Sequence, residues 1–95
     1  MARYRLTVAA DSDLSDIALY GIETFGAERA ERYLKDIERR FEDLAAAPYL
    51  YPAIDHIRPG YRRSVCGVHS IYYRLDGEDV EIVRVLRSQD RDKRL

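Results

Sequence analysis

The sequence predicts an α+β domain: an N-terminal strand, an antiparallel helix hairpin, then a three-stranded antiparallel run that completes a small, largely antiparallel sheet. Three observations lead there. Apolar residues recur at three- and four-residue spacing from about residue 12 to 47. From about residue 61 to 87 the period changes to two, in runs rich in β-branched and aromatic residues. Between these regions Pro48, Pro52, Pro59 and Gly60 punctuate a connecting stretch with aromatic anchors.

Each element has its own justification. Tyr4, Leu6 and Val8 alternate with Arg5 and Thr7, the period of a half-buried strand. Asp11 or Ser12 is the expected helix cap, and the acids at Asp13 and Asp16 favour the positive end of the helix that follows. Leu14, Ile17, Ala18, Gly21 or Ile22, and Phe25 give that helix one apolar face, and Gly26 is expected to end it in a left-handed cap. The second helix carries Ala30, Tyr33, Leu34, Ile37, Phe41, Leu44 and Ala45 on one stripe and stops before Pro48, whose ring disfavours helical geometry at the preceding residue. Two helices joined so tightly should pack antiparallel.

Residues 61–66, 68–75 and 80–87 read as strands separated at Gly67 and at Asp76-Gly77. The Asp-Gly pair signals a hairpin, and the acids Glu78 and Asp79 suggest a loop longer than two residues. Val80, Ile82 and Leu86 alternate with Val83 and Val85, so the last strand has apolar residues on both faces and is expected to be central. The closing SQDRDKRL is charged and is expected to fray.

Composition narrows the function classes. A chain of 95 residues is one domain's worth, expected as a single unit over 1–95, and 46% hydrophobic with 35% charged residues is a globular balance. Cys66 is the sole cysteine, so no intrachain disulfide forms and the reducing cytoplasm is the expected compartment. No apolar run approaches the ~20 residues that span a bilayer. No metal-ligand spacing, phosphate-cradling glycine loop or Ser-His-Asp arrangement is present, so neither a metal nor another cofactor is expected. Charge is uneven: residues 1–54 hold 7 basic and 10 acidic side chains (−3), residues 55–95 hold 9 and 7 (+2).

The segments DLSDIALYGIETFG and ERAERYLKDIERRFEDLAAAP, followed by IRPGYRR, GVHSIYYR and VEIVRVLR, resemble the RelE/ParE toxin superfamily, and within it the ParE branch. The resemblance runs from about Val8 to Leu86, and its specific part is the ordered spacing of the last three motifs. It implies the toxin of a type II toxin-antitoxin pair, neutralised by a ParD-like antitoxin whose flexible segment wraps a helix-hairpin groove and an open sheet edge. It further implies a multimeric complex with two toxin chains, and operator DNA bound only through the antitoxin.

The superfamily divides by target. RelE-like members cleave mRNA on the ribosome, which needs a general base, a general acid and cations around the phosphate. ParE-like members are associated with blocking DNA gyrase by binding. The cationic candidates for target contact are Arg62, Arg63, Arg84 and Arg87. Arg62 and Arg63 can equally be solubilising residues on an exposed strand. Arg84 interrupts an apolar face, so it either pairs with a carboxylate, the favoured reading, or points into a concavity. His69, Tyr72 and Tyr73 are weaker candidates: His69 alternates with Ile71 and Tyr73 and reads mainly as a packed residue, while adjacent Tyr72 and Tyr73 must face opposite ways. His56 reads as a turn residue and Cys66 as a small buried apolar one. Arg87 stands where many members of both branches show histidine, a departure that argues against RNA cleavage, and no catalytic residue is assigned. The competing readings are a ribosome-dependent mRNA endoribonuclease of the RelE type and a weakly toxic antitoxin partner and co-repressor.

Overall fold

A computed structural model describes residues 3–87. Its elements are β1 (Tyr4–Leu6), α1 (Val8–Phe25), α2 (Ala27–Ala46), β2 (Tyr61–Cys66), β3 (His69–Asp76) and β4 (Asp79–Arg87). The four strands form one sheet in the order β1-β4-β3-β2, with β1 parallel to β4 and the other pairs antiparallel. β4 is therefore central, as its two apolar faces predict. The charged tail after Arg87 lies outside the described residues. Among the described residues no helix is long and apolar enough to cross a membrane.

The first strand is shorter and the first helix longer than periodicity suggests. Thr7 is the reason. Its N–H donates to the Ile82 carbonyl at 3.0 Å, its Oγ1 donates to the Val83 carbonyl at 2.8 Å, and the same Oγ1 accepts the Ala10 N–H at 3.0 Å. One residue thus ends the strand and caps α1, which begins at Val8 and not after Asp11 or Ser12. Gly26 also departs from expectation. At φ 93° and ψ 157° it is extended with positive φ, not left-handed helical, because it caps both helices and must reverse the chain in a single residue.

The hairpin closes through small residues: a Cβ on Gly21 would lie 3.0 Å from the Ala30 Cβ. α2 buries Ala30, Ile37, Phe41, Leu44 and Ala45, as its stripe predicts, and packs Ile37, Phe41 and Leu44 on Ile71, Tyr73, Val80, Ile82 and Val85 of the sheet. α1 behaves differently. Only Ala10 is buried, and Ile22 and Phe25, expected on the packed stripe, are about half exposed together with Leu19.

A register shift in the β3–β4 ladder accounts for the second face. Tyr72 pairs with Arg84 and Tyr73 with Ile82, so Val83 is an extra residue on β4. Val80, Ile82 and Val85 consequently share the helix side. Leu86, predicted to sit with Val80 and Ile82, packs on the opposite side with Tyr72 and Ile54. The turn between β3 and β4 holds only Gly77 and Glu78, since Asp76 pairs with Asp79, which corrects the expected longer loop. Gly77 has φ 65° at the first central position, where a II′ hairpin turn takes glycine, so the two strands join tightly despite the acidic flanks.

Candidate functional site

Where α1 leaves the sheet, a groove of about 550 Å³ opens between α1, the first half of α2 and the ends of β3 and β4. Its apolar surface comes from Ile17, Tyr20, Gly21 and Phe25 of α1, Ala30 and Tyr33 of α2, and Val85 and Leu86 of β4. Close packing of Gly21 on Ala30 brings the two helices together at one side, and Phe25, half exposed, closes the far end of α1. Charged side chains rim it: Asp13 and Asp16 from α1, Arg29 from α2 and Arg87 from β4.

Asp13 and Arg84 are joined. The guanidinium donates through Nε to Oδ2 at 2.8 Å and through Nη2 to Oδ1 at 2.9 Å, and the Val85 N–H donates to Oδ2 at 2.9 Å. This bidentate geometry places Arg84 in the carboxylate pairing that its position on an apolar strand predicts. The remaining candidate arginines do not form one cluster. Arg62 donates to the Tyr51 carbonyl at 2.6 Å and stands 5.0 Å above the Tyr49 ring. Arg63 lies in register with Tyr72, and Arg87 with His69. Strand alternation separates Arg62 from Arg63, and the extra residue at Val83 sets the register of Arg84.

His69 is 7% exposed and lines the groove beside Tyr33. The Tyr33 Oη lies 2.6 Å from its Nδ1, 3.2 Å from the Cys66 carbonyl and 3.2 Å from the Val68 nitrogen. One proton assignment satisfies all three contacts: Nδ1–H and the Val68 N–H donate to Tyr33, whose hydroxyl donates to Cys66. Burial, then the positive charge of Arg87, push the His69 pKa below its ordinary value. Burial likewise raises the Tyr33 phenol and the Cys66 thiol, so neither is poised as a base or nucleophile.

Tyr72 and Tyr73 are fully buried on opposite faces. Tyr73 donates to the Pro48 carbonyl at 2.6 Å, and burial pushes its pKa up to about 12. Among the described residues no group of three His, Cys, Asp or Glu side chains is arranged to hold a metal.

Sequence reasoning does not single out Tyr20 or Arg29, and it assigns Phe25 only to the packed stripe of α1. In the structure Arg29 stands 4.8 Å over the Phe25 ring, Phe25 meets Tyr20 edge-on at 6.3 Å, and Arg87 stands 5.8 Å over Tyr20. A weak signal was available: Tyr20 falls off the apolar stripe of α1, leaving a large ring with no evident core to join.

Part of the β2 edge is already occupied. The Pro52 carbonyl accepts the Arg63 N–H at 3.1 Å, and Arg40 donates to the Val65 carbonyl at 2.8 Å. The groove with the adjoining apolar side of α1 is accordingly the broader surface for a partner segment.

Comparison with known proteins places this geometry in a family. Residues 4–91 match the family described as the ParE toxin of type II toxin-antitoxin system, parDE. Toxin ParE1 of Mycobacterium tuberculosis is 38% identical over 96 residues, spanning 99% of this chain and 98% of the relative. Toxin ParE1 of Caulobacter vibrioides is 38% identical over 86 residues, 90% of this chain and 88% of the relative. A solved structure described as a chromosomal ParDE TA system from P. aeruginosa shares the fold, with a TM-score of 0.77 at 24% identity over 92% of this chain and 95% of that one.

Proposed function

The chain belongs to the ParE toxin family of type II toxin-antitoxin systems, and we propose that it halts growth by binding DNA gyrase, not by cutting RNA. It is a toxin component. The observation that favours binding is the state of the groups an RNA-cleaving relative would need. Arg84 is locked to Asp13, and His69 is buried, bonded to Tyr33 and held neutral. A general base needs to reach a substrate proton, and a phosphate clamp needs donors directed outward. Arg62, Arg63 and Arg87 remain the candidates for target contact.

The same reading supplies a partner. A ParD-like antitoxin would lay its flexible segment along the groove and over the exposed apolar residues of α1, in a multimeric complex with two toxin chains. Operator DNA would be bound by the antitoxin alone. Phe25 lines the groove, and Ile22 and Leu19 follow it at three-residue spacing along α1; exposed by 48% to 59%, they support such a cover, since exposed apolar patches mark interaction sites.

Purified protein added to a gyrase supercoiling assay should inhibit it, and equimolar antitoxin should relieve the inhibition. Uninhibited gyrase together with fragmented mRNA in a translation extract would replace this reading with the RelE-like one. Unimpaired growth on strong induction without antitoxin would leave an antitoxin partner and co-repressor.

A further inference from the structure

We infer that the β2 edge, with the loop that covers it, binds the backbone phosphates of duplex DNA without reading sequence. The inference goes beyond the gyrase reading, which it would complete by adding a contact to the DNA that gyrase holds.

The whole chain carries a net charge of −1, yet residues 44–75 hold four arginines against one carboxylate, Asp55. Arg74 is paired with Glu81. Arg58, Arg62 and Arg63 have no carboxylate within ion-pair distance among the described residues, although Arg5, Arg32, Arg39 and Arg84 each do. This stretch is thus a local concentration of uncompensated positive charge on a nearly neutral chain.

Strand alternation sends these arginines to both sides of the edge. Arg62 lies in register with Tyr73 on the helix side, and Arg63 with Tyr72 on the opposite side, which it shares with Tyr61. Each side has a guanidinium held over a ring: Arg62 stands 5.0 Å above Tyr49, and Arg58 5.5 Å above Tyr61. An aromatic face steadies the plane of a guanidinium and leaves N–H donors for phosphate oxygens. The helix side is also braced. Arg40, 5.5 Å over the Tyr51 ring, donates to the buried Ser64 hydroxyl at 2.7 Å and to the Val65 carbonyl at 2.8 Å, and the Tyr51 carbonyl accepts from Arg62 at 2.6 Å. Duplex DNA presents two phosphate chains on either side of a groove about 6 to 12 Å wide, an arrangement that cations straddling one edge can span.

A protein segment fits this edge less well. An added strand would need the outer main-chain groups of β2, but the Arg63 N–H already donates to the Pro52 carbonyl at 3.1 Å, the Tyr61 carbonyl accepts from the Ile54 N–H at 2.8 Å, and the Val65 carbonyl accepts from Arg40. Phosphates need only the side chains.

Titration of the full chain into a fluorescent random-sequence duplex, followed by anisotropy in the absence of gyrase, tests the idea. With three phosphate contacts, affinity should fall about fortyfold between about 50 mM and about 200 mM salt. Arg58→Ala/Arg63→Ala should bind about tenfold more weakly at the lower salt and lose only about fourfold over the same range. Arg58→Lys/Arg63→Lys, which retains the charges, should keep most of the affinity and of the salt dependence. Unchanged circular dichroism checks that each variant folds. No binding at the lower salt, or an alanine variant that binds as tightly as the wild type, overturns the proposal. Tighter binding to single-stranded RNA than to the duplex overturns it in favour of an RNA surface. An alanine variant that binds the duplex normally but inhibits gyrase less assigns the arginines to an acidic protein surface and overturns it too. Because gyrase is absent from the titrations, their failure leaves the gyrase reading to the supercoiling assay.

Discussion

His69 illustrates how a residue can be read correctly as packed and still carry a testable consequence. Its ring is sequestered under Tyr33, and Gly67 makes that possible: at φ 61° a Cβ there would come within 2.7 Å of the Tyr33 ring and hydroxyl. Burial first, and Arg87 second, hold its pKa below the ordinary 6.5, so the unfolded ring takes up a proton at a pH where the folded ring stays neutral. More protons bound in the unfolded state means stability rises with pH. The contribution of His69 is thus intact above 6.5, is lost as pH falls from there through the folded pKa, and changes no further below it. Thermal unfolding followed from about pH 8 to about pH 5 should show this loss, and His69→Gln should flatten it. An unchanged slope in His69→Gln would place the titration on other groups. The sequence indicated a packed histidine from its alternation with Ile71 and Tyr73, but not Tyr33, which approaches from 36 residues away.

At the scale of elements, the join between α1 and β4 is made by side chains. β1 ends at Leu6, opposite Ile82, so beyond that point β4 keeps β3 on one side and has no strand on the other. Thr7 takes the Val83 carbonyl and Asp13 takes the Val85 N–H, extending the edge from the first turns of the helix. Asp13→Ala should destabilise the domain by about 1–3 kcal/mol, because it strands the Val85 donor and removes a bidentate partner of the partly buried Arg84. Asp13→Asn, which can still accept from Val85, should lose less. Urea unfolding at neutral pH measures both, and a loss within a few tenths of a kcal/mol for Asp13→Ala would mean that solvent replaces the carboxylate. Periodicity assigned both elements and suggested a carboxylate for Arg84. It could not name Asp13, which had a sufficient local explanation as a helix-terminus acid.

For the whole molecule, α2 packs along its length as a core element, while α1 joins the core only through its first half, at Ala10, Leu14 and Ile17. α2 turns its stripe into the sheet, while α1 leaves Leu19, Ile22 and Phe25 about half exposed, Phe25 at the edge of a preformed groove. Covering that surface should stabilise the fold: Tm should rise with antitoxin concentration, by roughly 2.7 kcal/mol in unfolding free energy at a hundredfold excess over Kd. A Tm indifferent to antitoxin would remove the groove from the interface. By itself the sequence determined the order of elements, the central place of β4, the α2 stripe and the toxin family, because these follow from local periodicity, turn residues and motif spacing. Only the tertiary structure decided that Thr7 caps α1, that Val83 bulges and sends Leu86 to the other face, that Arg84 belongs to Asp13, and that Arg29 and Arg87 stand on one aromatic row. The last three join residues far apart in the chain or shift a register by one, and Thr7 is fixed as the cap by its bonds to Ile82 and Val83, whereas a period of two or 3.6 describes only what happens along a single element.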